Sequence, residues 1–222
     1  MNKELAIVIS SCEKYKNFWS PFFYFFHKCW PDCPYKIYLA TDIGSYANCE
    51  VVRGNCLSSW ATNMINCLSK IQEERFIMLL DDFFLRNRID SYVVNSYDQH
   101  MAEQNIGYIR LFPSPGPDKM WKLRDDLGVI SVGQPHRLSL QTSMWNKNVF
   151  RKLLKDGENI WDTEKYGTQR SNFLQTEFLS VFRKEPMTEV MFSYVMGARL
   201  GKWTNEAMEY CKNENLNVEF TI

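Results

Sequence analysis

Arg75-Phe76-Ile77-Met78-Leu79-Leu80-Asp81-Asp82-Phe83-Phe84-Leu85 carries a nearly continuous apolar run straight into two adjacent acids and out again into apolar residues. A short apolar run of this kind is how a strand buried on both faces reads. Neighbouring carboxylates at its end oppose each other's ionisation, so the pair asks for positive charge. A solvated turn or a helix cap explains two acids more simply, but Leu79-Leu80 and Phe83-Phe84-Leu85 wall this pair with apolar residues on both sides. A divalent cation fits the chemistry. Mg²⁺ and Mn²⁺ prefer oxygen ligands and typically take one or two carboxylates, with water and phosphate completing the shell. A diphosphate leaving group needs such an ion, because negative charge builds on it as its bond breaks.

Upstream, Leu5-Ala6-Ile7-Val8-Ile9 closed by Ser10-Ser11 has the same buried-strand character and delivers a loop. Lys36 to Asp42 reads as a second strand ending on an acid, and Glu50-Val51-Val52 as a short third. Between the first two lies Phe18-Trp19-Ser20-Pro21-Phe22-Phe23-Tyr24-Phe25-Phe26. It is either a buried helix, entered at Ser20-Pro21 and stopped before Pro31, or a surface that touches lipid or a partner. It is far shorter than the roughly 20 apolar residues a membrane span needs. Trp60, Asn63, Met64, Cys67, Leu68 and Ile71 recur at helical spacing, with Ser58 or Ser59 available as the cap. Strand, helix, strand opens a doubly wound sheet, so the predicted fold class is α/β, a mixed sheet flanked by helices. Such sheets bind ligands at the carboxyl ends of their strands, where Asp81 and Asp82 fall.

Downstream, a helix is predicted from Asp90 or Ser91, then a strand from Ile106 to Phe112. Pro113-Ser114-Pro115-Gly116-Pro117-Asp118 must be a loop, and it is the strongest candidate boundary in the chain. Val129 to Val132 and Arg137 to Met144 read as strands of a small antiparallel addition. Asn146 caps a helix through Lys155 that Gly157 ends. Residues 157 to 167 read as irregular, Ser171 to Lys184 as a helix, and Thr204 to Asn213 as a last helix.

Lys plus Arg (26) balances Asp plus Glu (26), so no basic field gathers nucleic acid. The seven cysteines (12, 29, 33, 49, 56, 67, 211) are odd in number and scattered, which suits free thiols in a reducing compartment. Cys29 and Cys33 with His27 invite a zinc reading, but no second ligand pair at finger spacing follows. His100 and His136 fall in no ligand pattern. The start of the sequence lacks the features of a signal peptide, and the expected location is cytoplasmic. No Gly-rich phosphate loop, Gly-X-Ser-X-Gly or paired-His motif supports a kinase, esterase or zinc protease.

Taken in order, Ser10-Ser11 after the first strand, Asp42 after the second, the helix from Trp60, and Leu80-Asp81-Asp82-Phe83-Phe84 give a chain that resembles the GT-A glycosyltransferases. Within them it is similar to small bacterial enzymes of capsule and lipopolysaccharide assembly. The resemblance follows the order of elements over residues 5 to 203. It implies a GT-A-like, Rossmann-like single domain over 1–222, with 1–112 the nucleotide-sugar-binding half and 113–222 the acceptor-binding half. It implies transfer of a sugar, a hexose expected, from a nucleotide-diphosphate donor to a hydroxyl of a surface glycan, free or lipid-linked. A UDP-sugar is favoured as donor and inversion is expected, although the sequence is compatible with retention. The implied cofactor is Mg²⁺ or Mn²⁺ on Asp82, with Asp81 facing the sugar or ribose. The pair departs from a strict Asp-X-Asp, so which acid touches the metal stays open.

The resemblance also makes Ser10, Ser11 and Cys12 nucleotide contacts, gives Asp42 the base or ribose, and lets Asn63 point to the nucleotide. Arg170 and Lys202 would reach the diphosphate, the latter on a closing C-terminal loop. A turn, a cap, a packing amide and surface charge are the plain alternatives. Gln141, Trp145 and Trp161 are candidate acceptor contacts, since an indole suits the apolar face of a pyranose and an amide suits its hydroxyls. Inversion needs a carboxylate to take the proton of the attacking hydroxyl. Glu164 is the expected base and Asp162 the reserve, the alternative for both being an exposed acidic loop. A nucleotidyltransferase uses the same metal logic on an α-phosphate, and a non-catalytic carbohydrate-binding protein keeps the fold without turnover. The aromatic run with Lys14, Lys16 and Lys28 suggests peripheral contact with an inner membrane.

Overall fold

Strand β1 (Leu5–Ser10) is buried along its whole length because its side chains feed two cores, Leu5, Ile7 and Ile9 on one face and Ala6 and Val8 on the other. The structure is a computed structural model that describes residues 4–47, 49–54 and 58–222; residues 1–3, Asn48 and 55–57, Cys56 among them, lie outside the described residues. Helix α1 (Trp19–Cys29) is the aromatic run. Trp19, Phe22, Phe23, Phe25 and Phe26 are all buried in the first core, where each large side chain contributes about 1.5–3 kcal/mol. Only Tyr24 of its aromatics is exposed, so the helix offers no apolar face to lipid. Lys16 and Lys28 are engaged with Glu13 and Glu214. Among the described residues no helix is long and apolar enough to cross a membrane.

Strands β2 (Lys36–Thr41) and β3 (Glu50–Arg53) lie parallel to β1 on one side. Helix α2 (Trp60–Leu68), capped by Ser59, returns the chain to β4 (Arg75–Leu80), parallel to β1 on its other side. The chain thus reverses direction across the sheet between β1 and β4, which is where open α/β sheets form a ligand crevice. β5 (Phe83–Leu85), α3 (Ser91–Glu103, capped by Asp90), β6 (Ile106–Arg110) and the hairpin β7 (Lys119–Trp121) and β8 (Arg124–Val129) follow. Strand β9 (Ser143–Asn146) then inserts antiparallel between β4 and β6. After α4 (Lys147–Leu153) and α5 (Ile160–Ser171), β10 (Glu177–Val181) joins β6, completing one sheet in the order β3-β2-β1-β4-β9-β6-β10-β8-β7. Strands from both sides of the 113–118 loop interleave in this sheet, so the loop is not a break between separate units. β11 (Tyr194–Met196) pairs with β5, β12 (Ala198–Arg199) with β13 (Lys202–Trp203), and α6 (Asn205–Asn213) follows.

Three expectations need correction. Residues 160–171, within the span read mostly as irregular, are helical, with Asn159 as the cap. The face α5 buries consists of Thr163, Gly167 and Ser171, small residues that carry no apolar signal but allow close packing; a Cβ on Gly167 would meet Leu138 at 2.9 Å. Ser171 ends that helix, and the helix expected from there is instead the short strand β10, whose Phe178 and Leu179 feed opposite cores. The strand expected over 137–144 begins only at Ser143. The residues before it form an irregular segment held by the buried Arg110, which donates to the carbonyls of Arg137 (3.3 Å) and His136.

One buried ion pair ties β4 to α3. Arg75 Nε donates to Asp98 Oδ1 at 2.6 Å, and Asp98 is fully buried. Arg75 also pairs with the exposed Glu4 at 2.7 Å, but Asp98 is its buried partner, so Asp98→Ala should leave the buried guanidinium poorly compensated and cost about 3–5 kcal/mol in urea unfolding. A loss under about 1 kcal/mol, the worth of a surface pair, would show that Glu4 alone suffices for Arg75.

Candidate active site

The carboxyl ends of β1, β2 and β4 open into one cavity of about 680 Å³. β1 contributes Ser10, Ser11 and Cys12, β2 Thr41 and Asp42, β4 Leu80, Asp81 and Asp82. Asn63, Met64 and Trp60 of α2 form another wall, Ile160 and Trp161 of α5 a third, and Ala198, Leu200 and Gly201 the lip. The lip is the tip of the β12–β13 hairpin. Leu200 (φ 52) and Gly201 (φ 71) both take left-handed backbone, as a two-residue hairpin turn requires. Leu200 is 95% exposed and Trp161 75% exposed, although both line the cavity.

The acid pair sits at the junction of β4 and β5. Asp81 is 6% exposed, and burial first, then the Asp82 charge, raise its pKa well above the ordinary carboxylate value. Asp81 Oδ2 accepts from Ser11 Oγ, and Ser11 Oγ accepts from Trp19 Nε1 at 2.6 Å. Burial pushes Asp82 up to about 6, against a pull downward from backbone N–H groups including that of Ala198. Asp42 behaves oppositely. Burial alone would raise it, but the N–H groups of Glu13 (2.7 Å) and Ile43 (2.9 Å) and the Thr41 hydroxyl all donate to its Oδ1, and its pKa is lowered.

The donor set fits a hard divalent ion only in part by itself. Two neighbouring carboxylates, both held toward protonation for want of positive charge, are what such an ion would relieve. Among the described residues no cluster of three or more His, Cys, Asp or Glu side chains could hold a metal, so an ion here would need its other ligands from phosphate and water, the usual Mg²⁺ arrangement. Asp82 has no side-chain donor among the described residues, whereas Asp81 is committed through Oδ2 to Ser11. Among the described residues no zinc cluster forms at Cys29, Cys33 and His27 either.

A second group of residues lies outside the lining of that cavity. Glu164 Oε1 accepts from Ser139 Oγ at 3.0 Å and from the Leu140 N–H at 2.6 Å, which orients the carboxylate and leaves Oε2 without a protein donor among the described residues. Gln141 follows, two residues before β9, whose Ser143 pairs opposite Met78 of β4. Its buried Oε1 has no partner among the described residues. Tyr194 stacks on Phe83 at 3.9 Å, and burial first, then Asp82 and Glu164, raise its pKa, so its hydroxyl lies within the field of both carboxylates.

Of the residues singled out in the sequence, the cavity brings together Ser10, Ser11, Cys12, Asp42, Asn63, Asp81, Asp82 and Trp161. Lys202 stands beside the lip, exposed on β13. Five others do not line it: Glu164 and Gln141 belong to the second group just described, and three more lie elsewhere. Trp145 is fully buried in the middle of the sheet against Tyr108 (4.2 Å) and Phe150 (4.6 Å), so its indole has no face for a sugar. Arg170 is tied to Glu158 and to the Leu153 carbonyl, away from the acid pair. Asp162 binds its own helix cap, accepting from Asn159 Nδ2 at 2.7 Å. Two residues from Glu164, it points to the other side of α5. Tyr15, Trp60, Tyr194 and the Leu200–Gly201 turn were missed as site residues. The spacing marks Trp60 only as part of a helical stripe, and nothing local marks Tyr194.

No protein-family model matches the sequence, and no curated protein sequence matches it. Solved structures do resemble it in fold. TarS from S. aureus matches with a TM-score of 0.56 at 10% identity, over 97% of this chain and 40% of that one. TarS 1-349 in complex with UDP matches at 0.55 and 8% identity, over 82% and 58%. The complex with UDP-GlcNAc matches at 0.51 and 11% identity, over 97% and 67%. This chain therefore spans between about two fifths and two thirds of the TarS structures it resembles. With its mixed nine-stranded sheet, flanking helices and cavity at the strand ends, the chain has the GT-A-type fold.

Proposed function

We propose that this chain is a glycosyltransferase that moves a sugar from a nucleotide-diphosphate donor, a UDP-sugar favoured, to a hydroxyl of a surface-glycan acceptor with inversion. The single observation that carries this reading is the convergence of three parallel strand ends on a cavity lined by Asp81 and Asp82. The nucleotide occupies the cavity between Asp42, Asn63 and the first loop, and residues of the second half, Glu164, Gln141 and Trp161, serve the acceptor. Asp82, aided by Asp81, would hold Mg²⁺ or Mn²⁺, which when bound offsets the charge that develops on the departing diphosphate. Glu164 Oε2 takes the proton of the attacking hydroxyl. Lys202 lies beside the lip, within the reach of a long side chain toward the diphosphate. The free and lipid-linked forms of the glycan are both compatible with this, and α1 supplies no membrane-binding face.

Incubation with Mn²⁺, an acceptor glycan and a panel of nucleotide sugars tests the reading. Free nucleoside diphosphate is the expected product; pyrophosphate would mark a nucleotidyltransferase, and neither a non-catalytic binding protein. Trp161, one helical turn from Glu164 and 75% exposed, gives a further check. Trp161→Ala should raise the KM for acceptor by about three- to tenfold while donor KM changes little, as expected for loss of one aromatic face. An unchanged acceptor KM removes Trp161 from the acceptor site.

A further inference from the structure

The end of β1 presents Ser10 and Ser11 to the same cavity, yet the tryptophans that donate to them make the two hydroxyls unlike. Trp19 Nε1 donates to Ser11 Oγ at 2.6 Å, and Trp60 Nε1 donates to Ser10 Oγ at 3.0 Å. An indole N–H can only donate, and a hydroxyl owns one proton, so each serine oxygen accepts from its tryptophan and keeps its proton for another acceptor. For Ser11 that acceptor is Asp81 Oδ2. Ser10 has no such acceptor among the described residues, although it is only 6% exposed and lines the cavity. A buried hydroxyl proton of this kind is completed by a ligand or by water.

We propose that Trp19 and Trp60 are positioning residues that give the two serines different tasks: Ser11 clamps Asp81, and Ser10 donates its hydrogen bond to an oxygen of the bound nucleoside diphosphate. The inference rests on the nucleotide-sugar reading of the cavity, and it separates two residues that the sequence treats alike. The Ser11 bond fixes the rotation of the Asp81 carboxylate and leaves Oδ1 to face the ligand. Ser10, accepting from Trp60, is the stronger donor for it, because hydrogen bonds in a chain polarise one another.

Calorimetric titration with UDP, with and without Mn²⁺, separates the tasks. Ser10→Ala should weaken UDP about tenfold or more under both conditions, the loss expected for one hydrogen bond to a charged acceptor. Trp60→Phe should do the same to a smaller degree, and Ser10→Ala with Trp60→Phe should be no weaker than Ser10→Ala alone. Ser11→Ala should shrink the gain in UDP affinity that Mn²⁺ brings. In spectra of the ¹⁵N-labelled indoles, Ser10→Ala should move the Trp60 signal and Ser11→Ala the Trp19 signal. The division of tasks is overturned if Ser11→Ala weakens metal-free UDP binding as much as Ser10→Ala, or if the Ser10 and Trp60 losses multiply. A parent protein that binds no nucleoside diphosphate overturns the nucleotide reading and the role given to Ser10. The indole spectra then decide the serine–tryptophan pairing alone, which falls if neither substitution moves its indole.

Discussion

Asp82→Asn is expected to lower kcat/KM for the donor by about 10³-fold or more while making the metal-free protein more heat-stable near neutral pH. The loss follows from the charge an ion on Asp82 would offset, several kcal/mol in the transition state, each 1.36 kcal/mol of which is tenfold in rate. The gain follows from linkage. Asp82 is raised from 3.8 to about 6 by burial, so between those values the folded protein holds a proton that the unfolded chain has released. Ionising Asp82 inside the fold is therefore unfavourable. That handicap is absent below the unfolded value, grows as pH rises through the interval, and is complete above about 6. Asparagine has no charge to bury, so the variant should melt above the parent at about pH 8 and the two should converge toward about pH 4. Mn²⁺ should raise the melting temperature of the parent at the higher pH, have little effect at the lower one, and leave Asp82→Asn unmoved. Asp82→Asn protein that turned over donor at the parental rate with added Mn²⁺ would remove the acid from the metal site. Equal melting temperatures at all pH values would mean that Asp82 is not held toward protonation.

The first half of this fold was legible because its signals are local. A central parallel strand needs apolar side chains on both faces, so Leu5 to Ile9 and Arg75 to Leu80 stand out without knowledge of their partners, and Ser59, Asp90 and Asn146 mark helix starts by their own chemistry. The second half was less legible for the same reason. α5 buries Thr163, Gly167 and Ser171, and β10 is five residues long, so neither declares its period. The acid pair could be read from its apolar walls. The direction of Asp162 could not, because a residue two positions from Glu164 reaches the same site on a loop but the opposite side on a helix. Trp145 fails as an acceptor contact because β9 is an inserted central strand, flanked by β4 and β6, a pairing visible only once the sheet is assembled. The roles of Ser10 and Ser11 likewise depend on Trp60 and Trp19, the first of them fifty residues away in sequence.

Glu164→Gln is expected to reduce kcat by about 10²- to 10⁴-fold, the range for loss of a general base, with donor and acceptor KM nearly unchanged. The amide keeps an oxygen where Oε1 lies, so the Leu140 N–H and Ser139 Oγ keep their acceptor and the segment before β9 stays in place. Melting temperature should accordingly move little. Glu164→Ala removes that acceptor too, and leaving the part-buried Leu140 N–H unpaired should cost a further 1–3 kcal/mol or so of stability. The pair of variants therefore separates proton transfer from scaffolding: equal kcat losses with unequal stabilities fit a base, whereas a kcat that tracks stability fits a strut. A second handle is the acceptor itself. A hydroxyl made more acidic by a neighbouring fluorine needs less help to lose its proton, so it should narrow the gap between Glu164→Gln and the parent. A gap that stays constant across such acceptors, or a Glu164→Gln protein with parental kcat, would move the base away from Glu164. Asp162 would not replace it, because its carboxylate is spent on Asn159 on the far side of α5.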